Sequence, residues 1–289
     1  MDIEIRRARS AEDRLAGATL SQTAFARAGS VAIIEQAKRL KSSLRARGHT
    51  WLALLDGDPV SALVAYDFVL RRGDELRPAF GLGSVATSPT HRKRGIATKL
   101  CAAVADDHGG AGLLYSAIDA EFYGRLGYVA VPAWEFECAD PQTLAASGPQ
   151  AKLAPLDPRH DVERLHAAWH ASHTGWYVDR DAARWSASLI DNPYDIWFAV
   201  GDTGYLRIVI DKDGLEIAEI CTPPEERDAA IRAAAALAVE ADASPVAGWF
   251  EPSPLVLEHF TDKGRATTQP MLRGLDAPET ARFSSADYF

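Results

Sequence analysis

Cysteine is scarce in this chain: three residues in 289, Cys101, Cys138 and Cys221, with no CxxC pair among them. So sparse a set supplies neither a structural zinc site nor a disulfide framework, and all three read as small buried hydrophobes. The eight histidines are scattered without ligand spacing, so no metal is expected. No apolar run approaches the ~18–20 residues of a membrane-crossing helix. The opening MDIEIRRARSAED has no apolar core behind its charges, which argues against a secretory signal. The expectation is a cytoplasmic protein with no membrane partner. Positive charge is in the minority, 31 Lys and Arg against 40 Asp and Glu, for a formal net charge of −9. An acidic chain repels phosphate backbones, so nucleic acid is not an expected partner. The same balance attracts a cationic substrate, although it serves solubility equally well.

What is present is ordinary for a globular protein: 47% hydrophobic and 25% charged residues. At ~100–200 residues per domain, the length allows one large or two modest domains. The patterning predicts an edge strand at Glu4–Arg6, a helix from Ser10, and a helix over Val31–Arg47 that Gly48 ends. Two apolar runs, Trp51–Leu55 and Val60–Leu70, flank Asp56-Gly57-Asp58-Pro59 and predict an antiparallel hairpin. A strand over Ala79–Thr87, a basic turn at Ser88–Gly95 and a helix from Ile96 to Asp107 follow. A strand at Leu113–Ile118, a short helix at Phe122–Leu126 and a strand at Tyr128–Pro132 complete the first half.

Around residues 139–158 the composition shifts to Ala, Pro, Asp, Ser and Gly, as in a linker. Beyond it the order recurs. Helices at His160–His170 and Asp181–Ile190 precede strands at Trp197–Val200, Tyr205–Ile210 and Leu215–Thr222. Then come a helix over Pro223–Ala241, a strand at Pro245–Phe250, a short helix at Pro254–Phe260 and a last strand at Gln269–Leu275. The expected fold is α/β (α+β): two tandem units, each a mixed, mostly antiparallel sheet flanked by helices. The expected division is 1–139, a linker at 140–158, and 159–289. The aromatics Trp169, Trp176, Tyr177, Trp185, Tyr194 and Trp197 are expected in the second unit's core.

The stretch SVATSPTHRKRGIAT, Ser84 to Thr98, is a strand feeding a basic turn that opens directly onto a helix. Free backbone N–H groups and the dipole of a helix N-terminus bind anions. Gly95 permits close approach, Ala97 keeps the first turn slim, and Arg92, Lys93 and Arg94 add positive potential. A pyrophosphate is the natural guest. The corresponding place in the second half reads Glu219-Ile220-Cys221-Thr222-Pro223-Pro224-Glu225-Glu226, where acidic residues would repel one.

Arg92, Gly95 and Ala97 occupy the three positions of the R/Q-x-x-G-x-G/A motif, so the first half, roughly residues 3–135, resembles the Gcn5-related N-acetyltransferase (GNAT) superfamily. Phe122-Tyr123-Gly124-Arg125-Leu126-Gly127-Tyr128 is similar to that family's FYxxLGF/Y segment. SPTHRKRG together with FYGRLGY further resembles the enhanced-intracellular-survival subfamily, whose members acetylate amines of aminoglycosides and lysine side chains. The resemblance implies acetyl-CoA as cosubstrate, held by Val85, Ala86 and Thr87 of the strand and by Arg92, Lys93, Arg94, Gly95, Ile96, Ala97 and Thr98 of the loop and helix. It implies Tyr123 as general acid toward the leaving thiolate. It also implies the terminal carboxylate, here that of Phe289, as a base reaching the site. The subfamily's sterol-carrier-like domain has no counterpart in these residues. Its hexamer is therefore not carried over, and a homo-oligomer stays open.

The implied activity is an acetyl-CoA-dependent N-acetyltransferase acting on a primary amine of a small cationic molecule or a peptide. A non-catalytic acyl-CoA sensor and an acyltransferase using a longer donor are the alternatives. His91 reads as a turn residue. Glu35, Asp67 and Glu121 are the acidic groups that topology would bring near an acceptor cleft.

Overall fold

The computed structural model describes residues 2–25, 48–116, 118, 120–171, 174–264, 269–276, 281–283 and 287. The helix expected over Val31–Arg47, Glu35 within it, and the terminal Phe289 lie outside the described residues.

Strand β1 (Ile3–Arg7) pairs antiparallel with β2 (His49–Leu55), and between them helix α1 (Ala11–Phe25) starts behind Ser10. The Ser10 hydroxyl accepts from the Asp13 N–H at 3.1 Å and so caps the helix. Asp13 itself turns to Arg6, whose guanidinium donates to both its oxygens at 2.7 and 2.9 Å. The hairpin from β2 into β3 (Asp58–Arg72) turns on Asp56 and Gly57, both at positive φ (53° and 90°). That is the Asp-Gly turn whose twist matches the flanking strands. Strand β4 (Glu75–Thr87) follows, then a 3-10 turn at Pro89–His91, helix α2 (Ile96–His108), β5 (Ala111–Ser116), the short helix α3 (Ala120–Gly124) and β6 (Tyr128–Ala130).

The chain continues through β7 (Phe136–Cys138), α4 (Pro141–Ala146), β8 (Leu153–Pro155), α5 (Pro158–His170) and β9 (Tyr177–Asp179). Helix α6 (Ala182–Asp191) leads to the meander β10 (Ile196–Val200), β11 (Gly204–Asp211) and β12 (Gly214–Cys221). Helix α7 (Pro224–Glu240), β13 (Val246–Gly248), α8 (Pro254–His259), β14 (Thr261–Asp262) and β15 (Gln269–Arg273) end it. Two sheets result, each mixed and mostly antiparallel, as expected. The first runs β1-β2-β3-β4-β5-β15-β6 with β9 on β3, and the second β14-β7-β13-β12-β11-β10-β8.

The sheets do not respect the division read from the sequence. Strand β15, expected in the second unit, lies between β5 and β6 of the first sheet, pairing Met271 with Leu114 and Ala130. Adjacent Met271 and Leu272 are each only 1% exposed. Successive strand residues point to opposite faces, so this pair requires a sheet covered on both sides, which the middle of the first sheet provides. In exchange, β7 pairs with β13 and β14 in the second sheet. Residues 140–158, expected as a linker, carry two short packed elements. Asp140 caps α4 by accepting from the Thr143 N–H, Leu144 is fully buried, and β8 pairs with β10.

A further tie is β9, which adds to β3 of the first sheet, with Arg71 donating twice to Asp179 (3.0 and 3.1 Å). Trp176 therefore packs with Leu70, Leu113 and Leu272 against the first sheet rather than in the second unit's core. Tyr194 is 89% exposed, whereas Trp185 and Trp197 are buried with Tyr205 as expected. Among the described residues no helix is long and apolar enough to cross a membrane.

Candidate active site

Strands β4 and β5 run parallel, yet they pair only from Ala79–Ala111 to Leu82–Leu114. Beyond that point β4 continues to Thr87 and no strand pairs its free edge among the described residues. The divergence has a local cause. The register against β3 jumps from Val64–Gly83 to Ala62–Ala86, so Ser84 and Val85 together face Leu63, and Ser84 sits at φ 53°. Such a bulge bends its strand and leaves ladder groups unpaired. On its other side the strand is fastened: the Ser61 hydroxyl donates to the Ala86 carbonyl at 2.7 Å, and the Ser88 N–H donates to the Val60 carbonyl at 2.9 Å.

At the end of β4 the backbone passes Lys93 at φ 60° and Gly95 at φ 73° before entering α2. Alternating left-handed residues of this kind turn consecutive N–H groups inward, forming an anion-binding concavity. Gly95 is the N-cap, and no side chain caps the helix. The first-turn N–H groups of Ile96, Ala97 and Thr98 thus face outward without a capping side chain. A Cβ on Gly95 would meet nothing within 4 Å, so the space beside this exposed residue is open. Arg92, Lys93 and Arg94 are exposed around it, and Arg92 is steadied by donating to the Thr87 carbonyl at 3.1 Å. The residues expected to hold the cosubstrate are therefore contiguous, from a free strand edge at Val85–Thr87 to a helix N-terminus at Ile96–Thr98.

Tyr123 lies on α3, 7% exposed, edge-on to Phe122 and Tyr128 at ring separations of 4.8 and 6.1 Å. It belongs to the same core cluster as Ile96, Leu100 and Cys101 of α2 and Leu114 of β5. Burial, with Cys101 adding, pushes its phenol above the ordinary range, and it keeps its proton at neutral pH.

The other expected acidic groups are elsewhere. Glu121 is exposed and ion-paired with Arg125 at 2.6 Å. Asp67 pairs with Phe80 in the ladder, four residues before the bulge, and its carboxylate faces His49 and His108 at 3.1 and 3.4 Å. His91 is the last residue of the 3-10 turn, as a turn residue should be.

One arrangement had no signal in the sequence, because its members are far apart along the chain. Arg180 is buried and donates to both oxygens of Glu219 (3.1 and 2.6 Å) and to Asp287 at 2.9 Å. Arg184 donates to the Asp287 carbonyl at 3.3 Å. The segment two residues before Phe289 is thereby anchored inside the molecule. Close by, His166, Glu219 and Cys221 bring potential ligand atoms within 4.8 Å of one another. This trio does not suit a metal ion. Arg180 already occupies both Glu219 oxygens.

Residues 4–131 match the acetyltransferase (GNAT) domain family. Residues 4–131 therefore carry the likeness to a GNAT acetyltransferase domain, and they contain the split strands, the basic loop and Tyr123. Among solved structures, a GCN5-related N-acetyltransferase from Kribbella flavida is similar over 96% of this chain and 73% of its own, at 18% identity and a TM-score of 0.69. Eis1 from Mycobacterium abscessus is similar over 94% and 73%, at 18% identity and a TM-score of 0.65. A putative acetyltransferase from Pyrococcus horikoshii matches over 99% and 94%, at 12% identity and a TM-score of 0.58. At these identities the likeness concerns the fold, and it spans both sheets beyond the GNAT domain. Comparison with curated protein sequences finds no match.

Proposed function

We propose that the chain transfers the acetyl group of acetyl-CoA to a primary amine of a small cationic molecule or a peptide, by direct attack in a ternary complex. One observation carries this reading: the unpaired edge of β4, the Lys93–Gly95 concavity and the N-terminus of α2 form a continuous track, with Tyr123 in the core cluster that α2 joins. On that track the pyrophosphate would lie on the N–H groups and positive side chains of Arg92–Thr98. The thioester would lie along Val85–Thr87, where backbone N–H groups favour the charge developing on its carbonyl oxygen. Tyr123, protonated at neutral pH, would give its proton to the departing sulfur.

The arrangement of a GNAT domain followed by a second unit of similar order, together with the FYGRLGY segment, supports a relationship to the enhanced-intracellular-survival subfamily. The likeness to Eis1 from Mycobacterium abscessus supports the same reading at the level of fold. The remaining assignment, the α-carboxylate of Phe289 as acceptor of the amine proton, is tested by adding two glycines after it. Unchanged turnover rejects it.

The primary test is release of CoA from acetyl-CoA across aminoglycosides, polyamines, lysine peptides, amino acids and arylamines. Turnover with one class establishes the reaction and the acceptor chemistry. Binding of acetyl-CoA without turnover across the panel rejects the transferase reading in favour of a sensor, and absence of binding rejects the track itself. Comparing acetyl-CoA with longer acyl-CoA donors fixes the acyl class.

A further inference from the structure

Ser61 is the one polar residue in the run Val60–Ala65 of β3, and it is fully buried. A hydroxyl is costly at such a place unless it is bonded. Both of its contacts go to the end of β4, just past the bulge at Ser84–Val85. Ser61 donates to the Ala86 carbonyl at 2.7 Å and lies 2.9 Å from the Thr87 hydroxyl. A serine has one proton to give and a carbonyl only accepts, so Thr87 is the donor in the second contact. The relay runs from the Thr87 hydroxyl to the Ser61 hydroxyl to the Ala86 carbonyl.

The relay fixes a direction. Ser61 and Thr87 stand directly opposite each other, and the next residue, Ser88, turns its N–H to the Val60 carbonyl of β3. Opposed residues alternate between bonded and non-bonded pairs, so Thr87 points its own N–H and carbonyl away from β3. The peptide joining Ala86 to Thr87 is planar and trans. A carbonyl held toward β3 therefore sends the Thr87 N–H to the opposite side, the open edge. The Thr87 carbonyl has the same heading, and the Arg92 guanidinium of the basic loop donates to it at 3.1 Å.

A bulge does not by itself require this hydroxyl. Strands β12 and β13 of the second sheet are also parallel, pair only from Leu215–Val246 to Ile217–Gly248, and part where β12 continues to Cys221. There too the register against the preceding strand shifts, from Ile208–Ile217 to Arg207–Glu219. Leu206, opposite Ile220 and fully buried, stands where Ser61 stands in the first sheet. That split opens onto a helix with Pro223 and Pro224 at its start and Glu225 and Glu226 in its first turn, an end that repels an anion. The buried hydroxyl accompanies the split whose loop suits a phosphate, and an apolar residue accompanies the other.

We propose that Ser61 is a positioning residue for the pantetheine arm of acetyl-CoA: through the Ala86 carbonyl it aims the Thr87 N–H at an amide carbonyl of the arm laid along β4. This role rests on the acetyl-CoA track proposed above, to which it adds a residue that touches no ligand.

The test compares two ligands of the full chain by calorimetry: acetyl-CoA, and 3′-phospho-ADP, which has the same adenosine and phosphates but no arm. In Ser61→Ala, acetyl-CoA should bind about five- to tenfold more weakly, and 3′-phospho-ADP as in the parent. Amide hydrogen exchange read by NMR should show the Thr87 N–H of the parent protected by acetyl-CoA and not by 3′-phospho-ADP. Equal losses for both ligands would make Ser61 a packing residue, and unchanged binding of both would make it idle. Either result overturns its positioning role and leaves the track standing. Binding of neither ligand to the parent would reject the track and this role together. The exchange measurement needs only the parent, so a Thr87 N–H left unprotected in its acetyl-CoA complex overturns the proposal even where Ser61→Ala does not fold.

Discussion

Two pairs of parallel strands part company in this molecule, and opposite things stand at their open ends. In the first sheet the split leads through Lys93 and Gly95 into the bare N-terminus of α2. In the second it leads through Pro223 and Pro224 into a helix that begins with two glutamates. Topology makes the cleft in both cases, because a parallel pair that stops pairing leaves an edge. The loop residues then decide what each open end offers: uncapped N–H groups and positive charge in the first, two prolines and two glutamates in the second. Kinship of fold between the units says little about what either binds.

The largest expected effect falls on the first split alone. Tyr123→Phe removes a general acid and should lower kcat by about 10²–10⁴-fold while leaving acetyl-CoA affinity unchanged. A drop in affinity of similar size would instead make Tyr123 a packing residue, and the two splits would then differ in binding but not in chemistry.

Next in size is the network that holds the second split together. Arg180→Met strands the carboxylates of Glu219 and Asp287 in the interior, and loss of one partner from a buried pair costs about 3–5 kcal/mol. Burial alone would raise the Glu219 carboxyl, but the charge and hydrogen bonds of Arg180 outweigh it and hold it below the ordinary range. A depressed folded value means stability that is full above the unfolded value near 4.5 and lost as pH falls through the folded one. With Arg180 gone that acid limb should shift to higher pH, as read by thermal melts between pH 3 and 7. An unshifted limb would mean that the pair contributes nothing to folding.

Gly95→Ala tests the loop half of the comparison. The added Cβ meets no neighbour but must adopt φ 73°, so a stability loss of about 1 kcal/mol is expected. On the proposed track the added methyl would crowd the pyrophosphate, so the KM for acetyl-CoA should rise about tenfold with kcat preserved. Calorimetry should find one acetyl-CoA per chain in the parent, since the second loop lacks the N–H groups for another. Two sites would erase the distinction between the splits.

Much of the first split could be read from the sequence because its determinants are contiguous: Arg92, Gly95 and Ala97 at fixed spacing, and FYGRLGY shortly after. Local signals such as the Asp56-Gly57 turn and the helix that starts behind Ser10 are met in the structure. The bulge at Ser84–Val85 was not legible, since no residue type there demands a positive φ. The exchange of β7 and β15 between the sheets was hidden for a different reason. A short strand carries no record of its partner, and only the burial of both Met271 and Leu272 shows that β15 needs a two-sided sheet. The Arg180–Glu219–Asp287 network joins residues so distant in sequence that no local pattern connects them.

The smallest expected effect concerns the cysteines, and it bears on every assay that follows CoA with a thiol reagent. Cys101, Cys138 and Cys221 are all free and at most 2% exposed, and burial pushes the Cys101 thiol up to about 12. Only thiolate reacts, so the native protein should give almost no thiol signal, and three equivalents after denaturation. The order of reaction during slow opening separates the sheets. Cys138 lies on three-residue β7, flanked on one side by a two-residue edge strand, whereas Cys101 lies on α2 against the first sheet. Short edge elements open at lower free energy than packed cores, so Cys138 should be labelled first under mild denaturant. Earlier labelling of Cys101 would place the weaker packing in the GNAT domain, and the second unit would then be the more rigid of the two.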